Sequence, residues 1–514
     1  MSTANRVIKN TGFLYAKMGI TMFISLYTTR LILNSLGASD FGIFNIVGGA
    51  ISMLGFLNAA MASATQRFMS YSEGEGNKEK QKSIFNVSII LHFCISLLVG
   101  ILLFIAGHFF FNGMLNIPQE RILAAKVIYG SLIISTMFTI MSVPYDAAMN
   151  AHENMKYYAI IGVFESLLRL LIAFICVYTH YDKLIIYGVL MACVPLFLLT
   201  IMRIYCHKNY EECTINPRKY WNKQLIKEMT SFAGWNFISS MITMCSAYGQ
   251  GLILNHFFGT LLNAAQGIAS QLNGQLQVLS SNMLKAINPI LGKSAGANDN
   301  QLLLKSTMYG AKYASALYLL IAIPMFIETP YILQLWLKNV PEWTAVFVRF
   351  QLIKTFIEFQ FSTLPRSISA TGKIKEYSFY SSISNILQIP AIYIFFKFGF
   401  PPYFMYISTI IFGNVIVYLI AFYYSTKLYN LSPSKYIKFV LLPLYLPLLT
   451  TLTLTYAAKY LFVTNNILNL SITIILSISI FGLLFFRSTS KEEKVIFINI
   501  KEAITNKIKK YVNK

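Results

Sequence analysis

Apolar residues along the chain gather into blocks of about twenty, separated by short polar stretches. At 1.5 Å rise per residue a helical block of that length crosses a ~30 Å hydrocarbon core. Blocks fall near residues 11–33, 41–63, 84–106, 122–144, 156–178, 184–205, 231–254, 264–287, 308–328, 345–364, 377–397, 402–424, 437–459 and 466–486. The pattern predicts an all-α polytopic membrane protein of about fourteen transmembrane helices. The second and eighth blocks are the least apolar, being rich in Gly, Ser, Asn and Gln.

Charge orients this array. Arg6 and Lys9, then Arg67, Lys78, Lys80 and Lys82, then Lys156, then Arg203 through Lys227 fall in alternate connections. Lys285, Lys293 and Lys305, then Arg366, Lys373 and Lys375, then Lys427, Lys435 and Lys438 continue the series, and the 487–514 tail adds eight more bases. The opposite connections hold only Arg121, Lys183, Lys338, Lys397 and Lys459. Bases concentrate in cytoplasmic loops, so both termini are expected in the cytoplasm. The net charge of +22 is thus a topology signal, not a nucleic-acid patch, and no nucleic-acid partner is expected.

Composition agrees: 56% of residues are hydrophobic and 12% charged, with a mean hydropathy of +0.57. A soluble domain carries about 25% charge. The six cysteines show no CxxC spacing and read as buried thiols rather than disulfides or metal ligands. The first block carries Lys17 and runs to Leu33 without a small-residue cleavage site, so no cleavable signal peptide is expected. Aromatic residues such as Trp336 and Tyr423–Tyr424 suit interfacial anchoring. The basic tail reads equally as a solvated segment or as one lying on anionic lipid.

The string Leu31-Ile32-Leu33-Asn34 recurs as Leu252-Ile253-Leu254-Asn255, an offset of 221. Gly74-Glu75-Gly76-Asn77 is echoed by Gly296-Ala297-Asn298-Asp299. Six helices separate the matches, so the halves enter the membrane the same way and form a parallel repeat. The expected units are a six-helix lobe at 1–207, a cytoplasmic linker at 208–229, a second six-helix lobe at 230–426, two additional helices at 427–486, and the tail at 487–514. In the eighth block, Gln266, Ser270, Asn273, Gln277 and Ser280 share one helix face. The repeat maps them to Asn45, Gly49, Ser52, Phe56 and Ala59. Lipid cannot solvate such a stripe, so it faces either a wet cavity wall between the lobes or a helix–helix contact.

Charges inside blocks are costly and mark function by default. Lys126, Lys312 and Arg349 lie near helix ends and can snorkel. Glu165 and Arg169, and Lys354 and Glu358, sit at i, i+4 and can neutralise each other. Lys17 and Arg30 have no acid on their helix, and Lys17 would sit roughly 10 Å deep. Bases outnumber acids, so a chamber lined by these groups favours an anionic substrate. P-loop, HExxH and GxSxG motifs are absent, and no enzyme activity, metal or cofactor is expected.

Asn10-Thr11-Gly12, Thr29-Arg30-Leu31, the run Leu36-Gly37-Ala38-Ser39-Asp40-Phe41-Gly42-Ile43-Phe44-Asn45, and Arg67 together resemble a polysaccharide flippase. The family is the O-antigen and capsule exporter branch of the multidrug/oligosaccharidyl-lipid/polysaccharide exporter superfamily. The resemblance covers essentially the whole chain and implies twelve core helices in two lobes plus two more. It implies translocation of an undecaprenyl-diphosphate-linked oligosaccharide across the bacterial cytoplasmic membrane, for surface polysaccharide such as O-antigen lipopolysaccharide or capsule. The diphosphate would pair with Lys17 and Arg30 first, then Arg169 and Lys354, with Arg67 at the cytoplasmic mouth. Asn45, Ser52, Gln266, Ser270, Asn273 and Gln277 would form the polar wall. Implied partners are the lipid-linked oligosaccharide, membrane lipids, and a polysaccharide polymerase with other assembly proteins. Alternatives are a drug or metabolite antiporter of the same fold and a peptidoglycan-precursor flippase. A membrane-embedded glycosyltransferase would need a larger outer loop than the chain offers.

Overall fold

A computed structural model describes residues 3–52, 55–111, 119–337, 340–461, 466–490 and 492–494. Its helices follow the apolar blocks. The first two spans are α1 (Thr3–Ser52) and α2 (Gly55–Glu75). Next come α3 (Lys78–Phe109), α4 (Ile122–Ala151), α5 (Met155–Tyr178) and α6 (Lys183–Asn209). The seventh and eighth spans are the two arms of α7 (Lys223–Gly296), which breaks at Gly259, where φ is +79°. A side chain is disfavoured at that dihedral, so glycine permits the reversal between arms.

The second half continues with α8 (Asn300–Ile327), α9 (Thr329–Trp336), the pair α10 (Thr344–Phe361) and α11 (Thr363–Thr371), and α12 (Lys375–Lys397). Spans Phe404–Tyr429, Pro433–Lys459 and Asn466–Ser488 follow. The chain is an all-helical multi-pass membrane protein.

The 221-residue offset reappears as architecture. Shifted by it, the first residues of α3, α4, α5 and α6 fall at 299, 343, 376 and 404. The observed starts are Asn300, Thr344, Lys375 and Phe404. The matching turns also agree. Gly76 and Asn298 both take positive φ, and the following Asn77 and Asp299 cap α3 and α8 through Lys80 N and Leu302 N. A capping carboxylate or amide satisfies a helix-end N–H that would otherwise be orphaned.

Ten described helices are long and apolar enough to cross a membrane. The first, second, eighth and tenth spans carry more polar sequence. A polar span must be shielded from lipid. These four meet one another between the halves: α2 packs along α7, α1 touches α7, and α11 reaches α2. The polar spans therefore form the seam of the molecule.

That seam is tight on the face that carries the basic loops. A Cβ on Gly74 would collide with the Lys293 main chain, and one on Gly296 with the Tyr71 main chain. A Cβ on Gly292 would lie 2.6 Å from Ser70 Cβ. Gly292 and Gly296, four apart, face Ser70 and Gly74, also four apart. Small residues at this spacing let two helix backbones approach closely.

The final hairpin is pinned to α8 at both ends. Lys312 Nζ donates to Glu493 at 2.8 and 2.9 Å, and both side chains are buried. Lys459 and Thr473 donate to Glu328 at 2.9 Å. The snorkelling expected of Lys312 is corrected here. Its ammonium sits inside the protein because a carboxylate 181 residues later neutralises it. All six cysteines are free, with Cys94 and Cys245 exposed. Residues 495–514, and with them most of the basic tail, lie outside the described residues.

Candidate functional site

α5 packs along α1, and five of its residues share one face. Tyr158, Gly162, Glu165, Ser166 and Arg169 recur at helical spacing on one face. Gly162 leaves the space that the end of the Lys17 side chain occupies. Lys17 lies across this gap with its Nζ 4.5 Å from the Tyr158 ring centre. From the other half, Lys285 on α7 approaches the same ring at 4.1 Å and donates to Tyr158 Oη at 2.5 Å. Two ammonium groups from opposite halves thus converge on one tyrosine. Asp146 of α4 lies within electrostatic reach of both lysines, and Glu165 within reach of Asp146. Arg169 is bound to Glu165 at 2.7 Å.

Neighbouring contacts close the halves around this point. Tyr15 donates to the Leu279 carbonyl at 3.0 Å, Asn282 meets Met18 Sδ, and Leu14, Met155 and Ala286 form a small buried cluster. Nearer the basic face, Lys293 pairs with Glu153 at 3.0 Å. Lys17 and Lys285 therefore sit at the level where the seam begins to close.

The polar stripe on the second arm of α7 divides. Gln266 and Ser270 line a cavity of about 410 Å³ with Ala247, Tyr248, Gly251 and Asn263. Asn273 is buried instead: it donates to Thr355 Oγ1 at 2.9 Å and accepts from Tyr318 Oη at 2.8 Å. Gln277 donates to the same Thr355 at 3.2 Å. The expectation that Asn273 walls a wet cavity is corrected, since α8 and α10 supply its partners and leave it no access to water, whereas Gln277 is only half-buried. Lys354 is also corrected in one respect. Despite its i, i+4 spacing from Glu358, no ion pair forms between them, and the Lys354 ammonium has no partner among the described residues. The side chains of Arg30, Asn45 and Ser52 lie outside the described residues.

At the basic face, Arg67 of α2 and Arg366 of α11 enter one cavity from opposite halves. Arg67 Nε donates to the Ala370 carbonyl at 3.3 Å, and its guanidinium stacks 4.6 Å from the Phe68 and Tyr71 rings. Gly372, at φ +83°, ends α11 beneath it, and any Cβ there would strike the guanidinium.

The family model described as MatE matches residues 16–175, which run from α1 into α5. An outward-facing multidrug resistance MATE family transporter of the MOP superfamily superposes with a TM-score of 0.70 at 13% identity. The superposition covers 83% of this chain and 96% of that one. The chain has the MATE fold. A MATE structure in the bent conformation gives a TM-score of 0.70 at 15% identity, over 82% of this chain and 94% of that one. A MOP superfamily transporter from Pyrococcus furiosus gives 0.67 at 15% identity, over 83% and 96%. Its description reports a binding pocket of reversed polarity that suggests a different function. A 155-residue stretch is 28% identical to the uncharacterized membrane protein EpsK of Bacillus subtilis (strain 168). That match spans 30% of this chain and 30% of the relative's length.

Within the MATE fold, the seam residues that sequence reading did not single out are Lys285, Tyr158, Asp146 and Arg366. By sequence, Lys285 and Arg366 fall in with the cations of the basic connections. Tyr158 carries no signal of its own, because its role arises only where Lys17 and Lys285 meet.

Proposed function

We propose that this MATE-fold protein translocates an anionic lipid-linked oligosaccharide, of the undecaprenyl-diphosphate class, across the bacterial cytoplasmic membrane. The basic face is read as the cytoplasmic one, with both termini there. The observation that carries this reading is the convergence of Lys17 and Lys285, from opposite halves, on Tyr158. A cation pair split across the seam is assembled when the halves close on the basic face and dismantled when they part. An anionic head group held between them would feel different fields in the two states, as alternating access requires. Lys354 offers an unpaired ammonium in the other half, and Arg169 a guanidinium whose charge Glu165 shares. Diphosphate oxygens can accept hydrogen bonds from all four groups. No bond is made or broken in the process, so the protein acts as a transporter without a catalytic residue or cofactor. A polysaccharide polymerase and other assembly proteins would consume the product on the far side.

The test is surface polysaccharide in a strain lacking the chromosomal copy. Lys17→Ala and Lys285→Ala should each abolish polymer while membrane expression persists. Wild-type polymer in both variants would remove the pair from the mechanism.

A second reading is a cation-coupled drug or metabolite antiporter of the same fold. It is favoured by Asp146, a carboxylate placed inside the helix bundle beside the seam. It predicts that Asp146→Asn abolishes drug resistance while surface polymer is unaffected.

A further inference from the structure

The cavity at the basic face is chemically distinct from the Lys17–Lys285 floor. It measures about 250 Å³ and is lined by Ser63, Gln66, Arg67, Ser70, Arg366 and Ser369, with Asn288 beside them. A water occupies roughly 30 Å³ of liquid, so there is room for a polyatomic guest. Arg67 and Asn288 come from helices of opposite halves, as do Ser70 and Arg366.

Its lining is a set of donors. Among the described residues neither Arg67 nor Arg366 forms an ion pair, although Glu75, Glu228 and Glu358 act on them from a distance. Arg366 Nη1 donates to Asn288 Oδ1 at 3.2 Å. A guanidinium only donates, so Asn288 must present its oxygen there and keeps its NH₂ as a further donor. Two more groups able to donate, Ser70 Oγ and Gln66 Nε2, are buried without a hydrogen-bond partner among the described residues, and Ser70 is 2% exposed. Buried polar groups are nearly always satisfied, and an orphan asks for an explanation. No carboxylate lines the cavity. With two guanidiniums among these groups, an anion with several acceptor oxygens satisfies the set.

Position narrows the class. Arg67 and Arg366 fall within about one helical turn of the ends of the apolar blocks at 41–63 and 345–364, which is where a bilayer's head groups would begin. We propose that this cavity binds a phosphate group shared by the two halves, and that the bound phosphate clamps them together on the basic face. Two guanidiniums from different halves, neither in an ion pair among the described residues, face one donor-lined space whether or not a substrate is transported. A ligand that bridges the halves binds only when they are closed, so it shifts the equilibrium toward that state. The phosphate can come from solution or from a lipid head group, and the experiment separates these sources.

The experiment uses full-length protein carrying spin labels at Lys78→Cys and Asn300→Cys, after the exposed Cys94 and Cys245 are replaced. Inorganic phosphate is titrated in neutral detergent, and phosphatidic acid is tested in phosphatidylcholine nanodiscs. The closed-state distance should gain population saturably with phosphate, or with phosphatidic acid alone if the site reads a lipid phosphate. Arg67→Gln or Arg366→Gln should weaken the effect by at least about tenfold, as for a lost charge-assisted hydrogen bond. Should a variant fail to fold, phosphate protection of Arg67 and Arg366 from phenylglyoxal in the parent protein decides the question. A distance distribution indifferent to both phosphate sources, full titration in both variants, or absence of protection would each overturn the proposal. None of these outcomes depends on whether the protein flips an oligosaccharide.

Discussion

Gly74→Ala and Gly296→Ala should prise the halves apart on the basic face. Each substitution adds one Cβ, which meets main-chain atoms of the facing helix: Lys293 for Gly74 and Tyr71 for Gly296. Main chain cannot rotate away as a side chain can, so the helices must separate. Overpacking of this kind costs about 1–3 kcal/mol. The cost falls on the closed state alone, because the same residues part when the seam opens. An equilibrium shift of that size is roughly five- to 150-fold. Intrinsic helix propensity works the other way, since Ala is favoured over Gly by about 1 kcal/mol within a helix. Gly234→Ala is therefore the control: its Cβ meets open space, and the helix should only gain. Distances between labels at Lys78→Cys and Asn300→Cys, measured by double electron–electron resonance, read the opening directly. Unchanged distributions in both Gly74→Ala and Gly296→Ala would refute the inference that these glycines set the closed seam.

Other expectations can be checked alongside. Ser270→Cys should react with a water-soluble maleimide, while Asn273→Cys should be protected, because Asn273 is 2% exposed and bonded to Thr355 and Tyr318. Lys312→Met should lower the detergent melting temperature strongly, since it leaves Glu493 buried without its cation. Removing one partner of such a pair costs about 3–5 kcal/mol. The paired change Lys312→Met with Glu493→Leu should recover much of that loss, and equal melting temperatures for the single and double variants would argue against the pin. Lys285→Gln should reduce surface polymer more than Lys305→Gln, because Lys285 meets Tyr158 in the seam whereas Lys305 is exposed at the basic face.

The membrane helices were legible because hydrocarbon imposes one rule, a long apolar helix, at every span. The repeat was legible from Leu31–Asn34 and Leu252–Asn255 because the turns and helix starts around them are kept at a fixed offset. The site was legible only where a residue broke that rule alone. Lys17 stands out as a base in an apolar block with no acid on its helix. Lys285 does not, because it lies near the end of a block where snorkelling explains any lysine. Asn273 and Ser270 look alike in sequence, one turn apart on one stripe, and only α8 and α10 decide that one is packed while the other lines a cavity. Lys312 could not be assigned because its partner Glu493 lies beyond the last helix. Local spacing also misled at Lys354 and Glu358, where i, i+4 placement permits a pair that the side chains do not make.

The central claim is that a cationic seam between two like-oriented halves carries a lipid diphosphate head group across the bilayer. It is tested most directly by reconstituting the purified chain in proteoliposomes with a fluorescent undecaprenyl-diphosphate oligosaccharide and following quenching by a membrane-impermeant reductant. Translocation should be lost in Lys17→Ala and in Lys285→Ala and inhibited by excess unlabelled diphosphate lipid. Translocation at the protein-free rate in the parent chain, or full activity in both lysine variants, would contradict it.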